Sequence, residues 1–160
     1  MPDNRDSELR QLVVFRVAEE EFGADINNVR EIIRLPGITS VPNAPSTILG
    51  VINLRGETIP ILSLNRLFGG EESVTNSDTR VVVVDDDGRG VGLVVDSVTE
   101  VLRLQGGVIT EPPRSIGPSA AYYVEGIARV EERLVLIVNM SHLVETRIDH
   151  EYELGQAQAA

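Results

Sequence analysis

The chain has no cysteine, no tryptophan and no lysine, and only three Phe and three Tyr among 160 residues. Without thiols it can form neither a disulfide nor a thiolate metal site, and a reducing compartment such as the cytosol is the expected home. No apolar run approaches the ~20 residues needed to cross a bilayer. The polar opening Met1-Pro2-Asp3-Asn4-Arg5 also lacks the apolar core of a signal peptide. Positive charge is scarce: 25 acidic residues against 14 basic ones leave a formal charge of −11. That balance argues against nucleic acid, whose affinity depends on cations meeting phosphate. Every one of the 14 cations is an arginine, a side chain that forks onto carboxylates and suits interfaces better than lysine does.

What the chain does have is an internal repeat. F-G-A-D-I-N-N-V-R-E-I-I from Phe22 is answered sixty-nine positions later by V-G-L-V-V-D-S-V-T-E-V-L from Val91. Gly23 falls on Gly92, Val29 on Val98, Glu31 on Glu100, and Ile32-Ile33 on Val101-Leu102. A second pair, from Gly50 and from Gly126, lies seventy-six apart, so the middle connection of the second copy is longer. Two copies are too few for a solenoid, and two similar small β units packed together fit better.

Local patterns predict the elements of each unit. Leu12 to Val17 and Phe22 to Ile26 are β-branched and aromatic with a polar turn between them, hence two strands. Residues 29–34 lead from a turn into a third, stopped by Pro36-Gly37. Residues 46–50 read as a single helical turn with a glycine stop. Val51 to Leu62 reads as a hairpin about Arg55-Gly56-Glu57, and Ser63 is placed to cap a short helix from Leu64 to Phe68. Residues 69–79 read as the linker between halves. Arg80 to Val84 is a continuous β-branched run, expected to be covered on both faces. Asp85 to Gly88 turns it into Val91 to Val95. Residues 105–121, punctuated by glycine and proline, connect to a last hairpin, Tyr123 to Val130 with Arg133 to Val138. Asn139 then caps a closing helix over 139–145.

The motifs that imitate chemistry do not survive their context. Asp85, Asp87 and Asp96 copy the ends of a calcium loop, but Arg89 occupies a ligand position and both flanks read as strands. Gly88, Gly90 and Gly92 lie between two strands and beside aspartates, where no helix N-terminus faces a phosphate. The two histidines, His142 and His150, lack zinc spacing, and no serine sits in a nucleophile elbow. No catalytic residue, cofactor or metal is expected.

The hairpin segment N-L-R-G-E-T-I-P-I at 53–61 stands above this background. With the repeat block at 22–33, P-N-A-P at 42–45, the block at 91–102, Y-V-E-G-I-A-R-V and L-V-L-I-V-N-M-S-H-L, it resembles the CheW family. These are scaffolds that couple chemotaxis receptors to the histidine kinase CheA, and the likeness covers about residues 10–145. The resemblance implies a mostly β fold of two similar SH3-like five-stranded β-barrel subdomains, with short helices, packed together. They would span roughly 10–68 and 80–145, with room for strands to exchange, between flexible tails at 1–9 and 146–160. It implies a non-enzymatic adaptor whose first subdomain pairs with the regulatory domain of CheA. The cytoplasmic hairpin of a methyl-accepting chemoreceptor would dock in an apolar groove between subdomains, so the membrane is met only through receptors. Val29, Glu31, Gly50, Asn53, Arg55, Gly56, Val81 and Val101 match the positions this family uses for partner contact or interface geometry. Glu31 and Arg55 are expected to pair within the first subdomain. Ser63 stands where the family commonly has Asp, another capping residue. Two alternatives stay open: a regulatory module of a CheA- or CheV-type protein, and a small-ligand-binding β domain. The short flanks leave no room for a receiver or an ATP-binding domain.

Overall fold

A computed structural model of the chain describes residues 9–68, 75–113, 115, 117–143 and 145. Of the tails expected at 1–9 and 146–160, Leu9 already belongs to a strand, while 1–8 and 146–160 lie outside the described residues, as do 69–74 of the expected linker and His150. In chain order the strands are β1 (Leu9–Val17), β2 (Glu20–Asp25), β3 (Val29–Arg34), β4 (Ile48–Leu54) and β5 (Glu57–Ser63). They continue with β6 (Arg80–Asp86), β7 (Arg89–Val95), β8 (Ser97–Gln105), β9 (Ile109–Thr110), β10 (Val124–Val130) and β11 (Arg133–Val138). Two short helices intervene, α1 (Leu64–Leu67) and α2 (Pro118–Tyr123), and residues 140–143 are also helical.

The strands form two mixed sheets, ordered β8-β1-β2-β11-β10-β9 and β3-β6-β7-β5-β4. Each sheet takes a hairpin from the opposite half of the chain. The β1–β2 hairpin joins the strands of the second copy through a parallel β2–β11 pairing. The β6–β7 hairpin joins those of the first copy through a parallel β5–β7 pairing. Tight turns close these hairpins, with left-handed residue pairs at Ala18-Glu19, Arg55-Gly56 and Asp87-Gly88, the conformation that matches strand twist.

The expected pair of closed five-stranded barrels is corrected by this topology. One sheet has six strands and the other five, and in neither are the end strands hydrogen-bonded to each other. Closing the larger sheet would require β8 to bond to β9. These are instead successive in the chain, joined by a 3-10 turn at Gly106–Val108. β9 pairs through only two residues, and Pro112 and Pro113 beyond it have no N–H with which to extend a ladder. In the smaller sheet the corresponding segment is a single residue. Thr39 exchanges 2.9 Å backbone bonds with Val51 on the outer edge of β4. One bridge in the first copy and a two-residue strand in the second account for five strands against six.

Alternation distributes the apolar residues over three clusters. Between the sheets, Phe15, Phe22 and Ala24 meet Val82, Val84, Val91, Leu93 and the buried Leu62 and Leu64. Each sheet also curls over a cluster of its own: Leu12, Val14, Ala128, Val135 and Ile137 in one, and Ile52, Ile59, Ile61, Val81 and Val83 in the other. β6 is therefore buried on both faces, as its unbroken β-branched run requires.

Two other expectations are revised. Residues 46–50 are not a helical turn: only 46–47 turn, and Ile48 to Gly50 already belong to β4. Gly50 stops no helix there. It lets the Thr39 segment cross β4, since a Cβ on it would lie 2.2 Å from the Thr39 carbonyl oxygen. Pro118–Tyr123, expected to be loop running into strand, is a helix with proline at its first position, where the missing N–H costs nothing.

Candidate functional site

Both copies of the repeat contain a β-bulge at the same point. In β3, Val29 is opposite Val84 and Glu31 opposite Val83, which leaves Arg30 unopposed. In β8, Val98 is opposite Phe15 and Glu100 opposite Val14, which leaves Thr99 unopposed. An extra residue breaks the period of two, so residues three apart come to share a face. Val29 and Ile32 thus both face the other sheet, opposite Val84 and Val82 of the inter-sheet cluster. Val98 and Val101 likewise share a face, opposite Phe15 and the buried Val13. β3 and β8 are the end strands of their sheets, so the outer member of each pair lacks cover: Ile32 is 40% exposed and Val101 52%. Val29 and Val98 are half-buried against the inter-sheet core.

The bulge also turns Glu31 and Glu100 toward the opposite face, where each meets a guanidinium. Arg55 donates from Nη1 to Glu31 Oε1 at 2.9 Å and from Nη2 to Oε2 at 2.8 Å. This bidentate fork fixes direction as well as distance. The pair anticipated from sequence is therefore formed, with Arg55 74% exposed at the hairpin tip and Glu31 only 21%. In the second copy the tip residue is Glu131, and the clamp comes from Arg133 on β11. Arg133 donates to Glu100 at 2.7 Å and to both oxygens of Glu21 at 2.7 and 3.0 Å. These bonds raise the pKa of Arg133, so it stays charged, and hold Glu21 below its ordinary 4.5. The repeat preserves the carboxylate while the arginine moves.

A second ion cluster braces the first hairpin. The unopposed Arg30 reaches Glu57 at 2.8 Å, Asp85 at 2.7 Å and the Gly88 carbonyl at 3.2 Å. Glu57 in turn accepts the Gly90 N–H at 2.9 Å. That backbone bond, then Arg30, hold the Glu57 carboxyl below its usual range. Asp85, part of the imitation calcium loop, thus serves as an arginine partner.

The remaining sequence-derived positions divide by burial. Gly56 completes the turn at φ 84, and its N–H donates to the Asn53 side-chain oxygen at 3.0 Å. Asn53, Arg55 and Gly56 all lie exposed on one hairpin tip. Gly50 is buried and passes the Thr39 segment closely. Val81 is fully buried in the cluster of the five-stranded sheet and offers a partner no surface. Ile32 was missed, although the repeat aligned it with Val101.

A CheW-like domain model matches residues 11–147. The chemotaxis protein CheW of Helicobacter pylori is 32% identical over 139 residues, covering 87% of this chain and 84% of that protein. The CheW of Klebsiella aerogenes is 33% identical over 135 residues, covering 84% and 81%. The crystal structure of the scaffolding protein TtCheW from Thermoanaerobacter tengcongensis superposes with a TM-score of 0.77 at 36% identity, covering 82% of this chain and 90% of that one. The doubled β unit, its repeated bulge and these likenesses agree: the chain belongs to the CheW family and is a non-enzymatic signalling adaptor.

Proposed function

We propose that this adaptor couples methyl-accepting chemoreceptors to the histidine kinase CheA, in the cytoplasm at the inner face of the membrane. The observation that carries this reading is the pair of exposed apolar residues, Ile32 and Val101, at equivalent places on two sheet ends. A protein gains little by leaving β-branched side chains uncovered on end strands, unless something else covers them. The helical hairpin of a receptor tip presents apolar residues at a spacing of three and four, a pattern suited to an apolar strip. In this reading Val29 and Ile32 on β3, and Val98 and Val101 on β8, supply its contacts. The hairpin tip of Asn53, Arg55 and Gly56 offers polar groups, and Glu31 fixes the direction of Arg55, as a kinase-regulatory contact requires. Val81 and Gly50 contribute by setting the shape beneath these surfaces.

Kinase autophosphorylation, assayed with receptor fragments and CheA, tests the proposal. Adding this protein should bring the kinase under receptor control, while the protein alone turns over nothing. Kinase output that ignores the receptor, with the adaptor present in excess, would overturn it.

A further inference from the structure

Among the described ladders, only one place sets an arginine directly opposite another: Arg34 on β3 against Arg80 on β6. Like charges across a ladder repel, and this acidic chain has carboxylates to spare. The other arginines in ladders face Glu21, Asp86, Gln11 or apolar and hydroxyl residues. Arg10, Arg30, Arg55 and Arg133 each bind carboxylates. Among the described residues, Arg34 and Arg80 bind none. Arg34 has no polar partner among the described residues. Arg80 spends only Nη1, on the carbonyls of Ser77 and Thr79 at 2.7 and 2.9 Å. The two line a surface recess of about 420 Å³ with Leu35, Thr75, Asn76 and Ser77. The rim is held in shape: Asn76 Oδ1 accepts the Asp78 N–H at 2.8 Å and Thr79 Oγ1 the Asn76 N–H at 3.0 Å. Asp78 belongs to the same turn, yet it is absent from the lining and makes no ion pair with either arginine.

The register says which way the recess faces. Arg34 and Arg80 lie two residues from Ile32 and Val82 on the same side of the sheet, about 7 Å along the strand. The cationic pair therefore continues the uncovered apolar edge that ends at Ile32. We propose that Arg34 and Arg80 form a carboxylate-docking site, which receives an acidic side chain of the chemoreceptor's helical hairpin, the partner that covers Ile32. The partner carries that acidic residue beside its apolar contact. Two guanidinium groups held side by side then fork onto one carboxylate, and the repulsion between them, present in the free protein, is relieved on binding. This deepens the adaptor reading and rests on it.

The test titrates the full chain with a CheA regulatory domain and with a chemoreceptor cytoplasmic fragment from one host. Arg34→Gln removes a charge that has no ion-pair partner among the described residues. It should weaken binding to the chemoreceptor fragment about tenfold and leave the CheA domain within twofold, and Arg34→Glu should weaken receptor binding further. Arg34→Lys should recover part of the loss. The melting temperature of the free Arg34→Gln protein should be unchanged or raised, because the opposed pair is gone. An affinity for the chemoreceptor fragment that stays within twofold in Arg34→Gln and Arg34→Glu would overturn the docking site while leaving the adaptor standing. Wild-type protein that binds neither fragment would overturn the adaptor reading, and the site with it.

Discussion

At the scale of single residues, Arg55 and Gly50 mark opposite extremes. Among the described residues Arg55 is tied only to Glu31, and it is mostly exposed. An exposed ion pair contributes at most about 1 kcal/mol to folding. Arg55→Ala should therefore shift the urea midpoint little while weakening recovery of kinase or receptor in pull-downs. Unchanged recovery would count against a partner role for the hairpin tip. Gly50 behaves in the reverse manner. Its φ of 153 and the 2.2 Å approach to the Thr39 carbonyl leave no room for a Cβ. Gly50→Ala should cost at least about 2 kcal/mol in urea denaturation, because β4 must part from the segment that covers its edge. The identity of Glu31 and Arg55 was legible in the sequence, and so was their pairing. Burial of Val81 followed from its β-branched run, but a position borrowed by likeness could not say whether its side chain reached the surface.

At the scale of elements, the repeated bulges decide which side chains the end strands leave uncovered. No residue type announces them, since Arg30 and Thr99 are ordinary in strands. Only the pairing partners show the skipped positions. α1 is a clearer case. Ser63 Oγ accepts the Arg66 N–H at 3.3 Å and caps a helix of only four residues. Such a helix has little cooperativity of its own. Ser63→Ala should cost about 1 kcal/mol, and Ser63→Asp should restore it; a differential melt of the three proteins decides. The cap positions Phe68 within a row of rings. Phe15 and Phe22 stand 6.1 Å apart between centroids, Phe22 and Phe68 5.0 Å, and Phe68 and Tyr123 6.1 Å. The row continues through Tyr122 to His142, stacked at 4.1 Å. So few aromatics, gathered in one line, link the inter-sheet core to α2 and to the helical residues 140–143. The helix of α2 was itself obscured in the sequence, because glycine and proline punctuation on both sides reads as loop.

At the scale of the whole molecule, the acid-sensitive contacts lie in two clusters on different sheets. Glu21 and Glu57 have folded-state pKa values below 4.5, through Arg133 in one case and through the Gly90 N–H and Arg30 in the other. A depressed carboxylate pKa adds stability above the unfolded value and loses it as pH falls through the folded one. The melting temperature should hold from neutral pH down to about one unit above 4.5, then fall steadily. Glu21→Gln should lower the neutral plateau and flatten that fall. A melting temperature as high at pH 3 as at pH 7 would contradict the assignment. The sheets also predict a division of effects. Ile32→Arg and Val101→Arg change exposed side chains on sheet ends, so both proteins should fold like the parent yet lose receptor binding in pull-downs. Retained binding in both would leave the apolar strip without a role.

The sequence alone determined that this chain is a doubled β unit and which family it joins. Those features live in local periodicity, composition and ordered motifs, which a linear string preserves. It also marked two of the hairpin tips, because left-handed turns favour glycine, which follows Arg55 and Asp87. Tertiary structure decided the rest: that hairpins cross between sheets, that neither sheet closes, and that Ile32 joins Val101 as uncovered surface. Those outcomes depend on which backbone groups find partners across long separations, and a proline or a single bridging threonine can settle them. The opposed arginines show this most directly. Arg34 and Arg80 lie forty-six residues apart in the chain, and only the β3–β6 register brings them face to face.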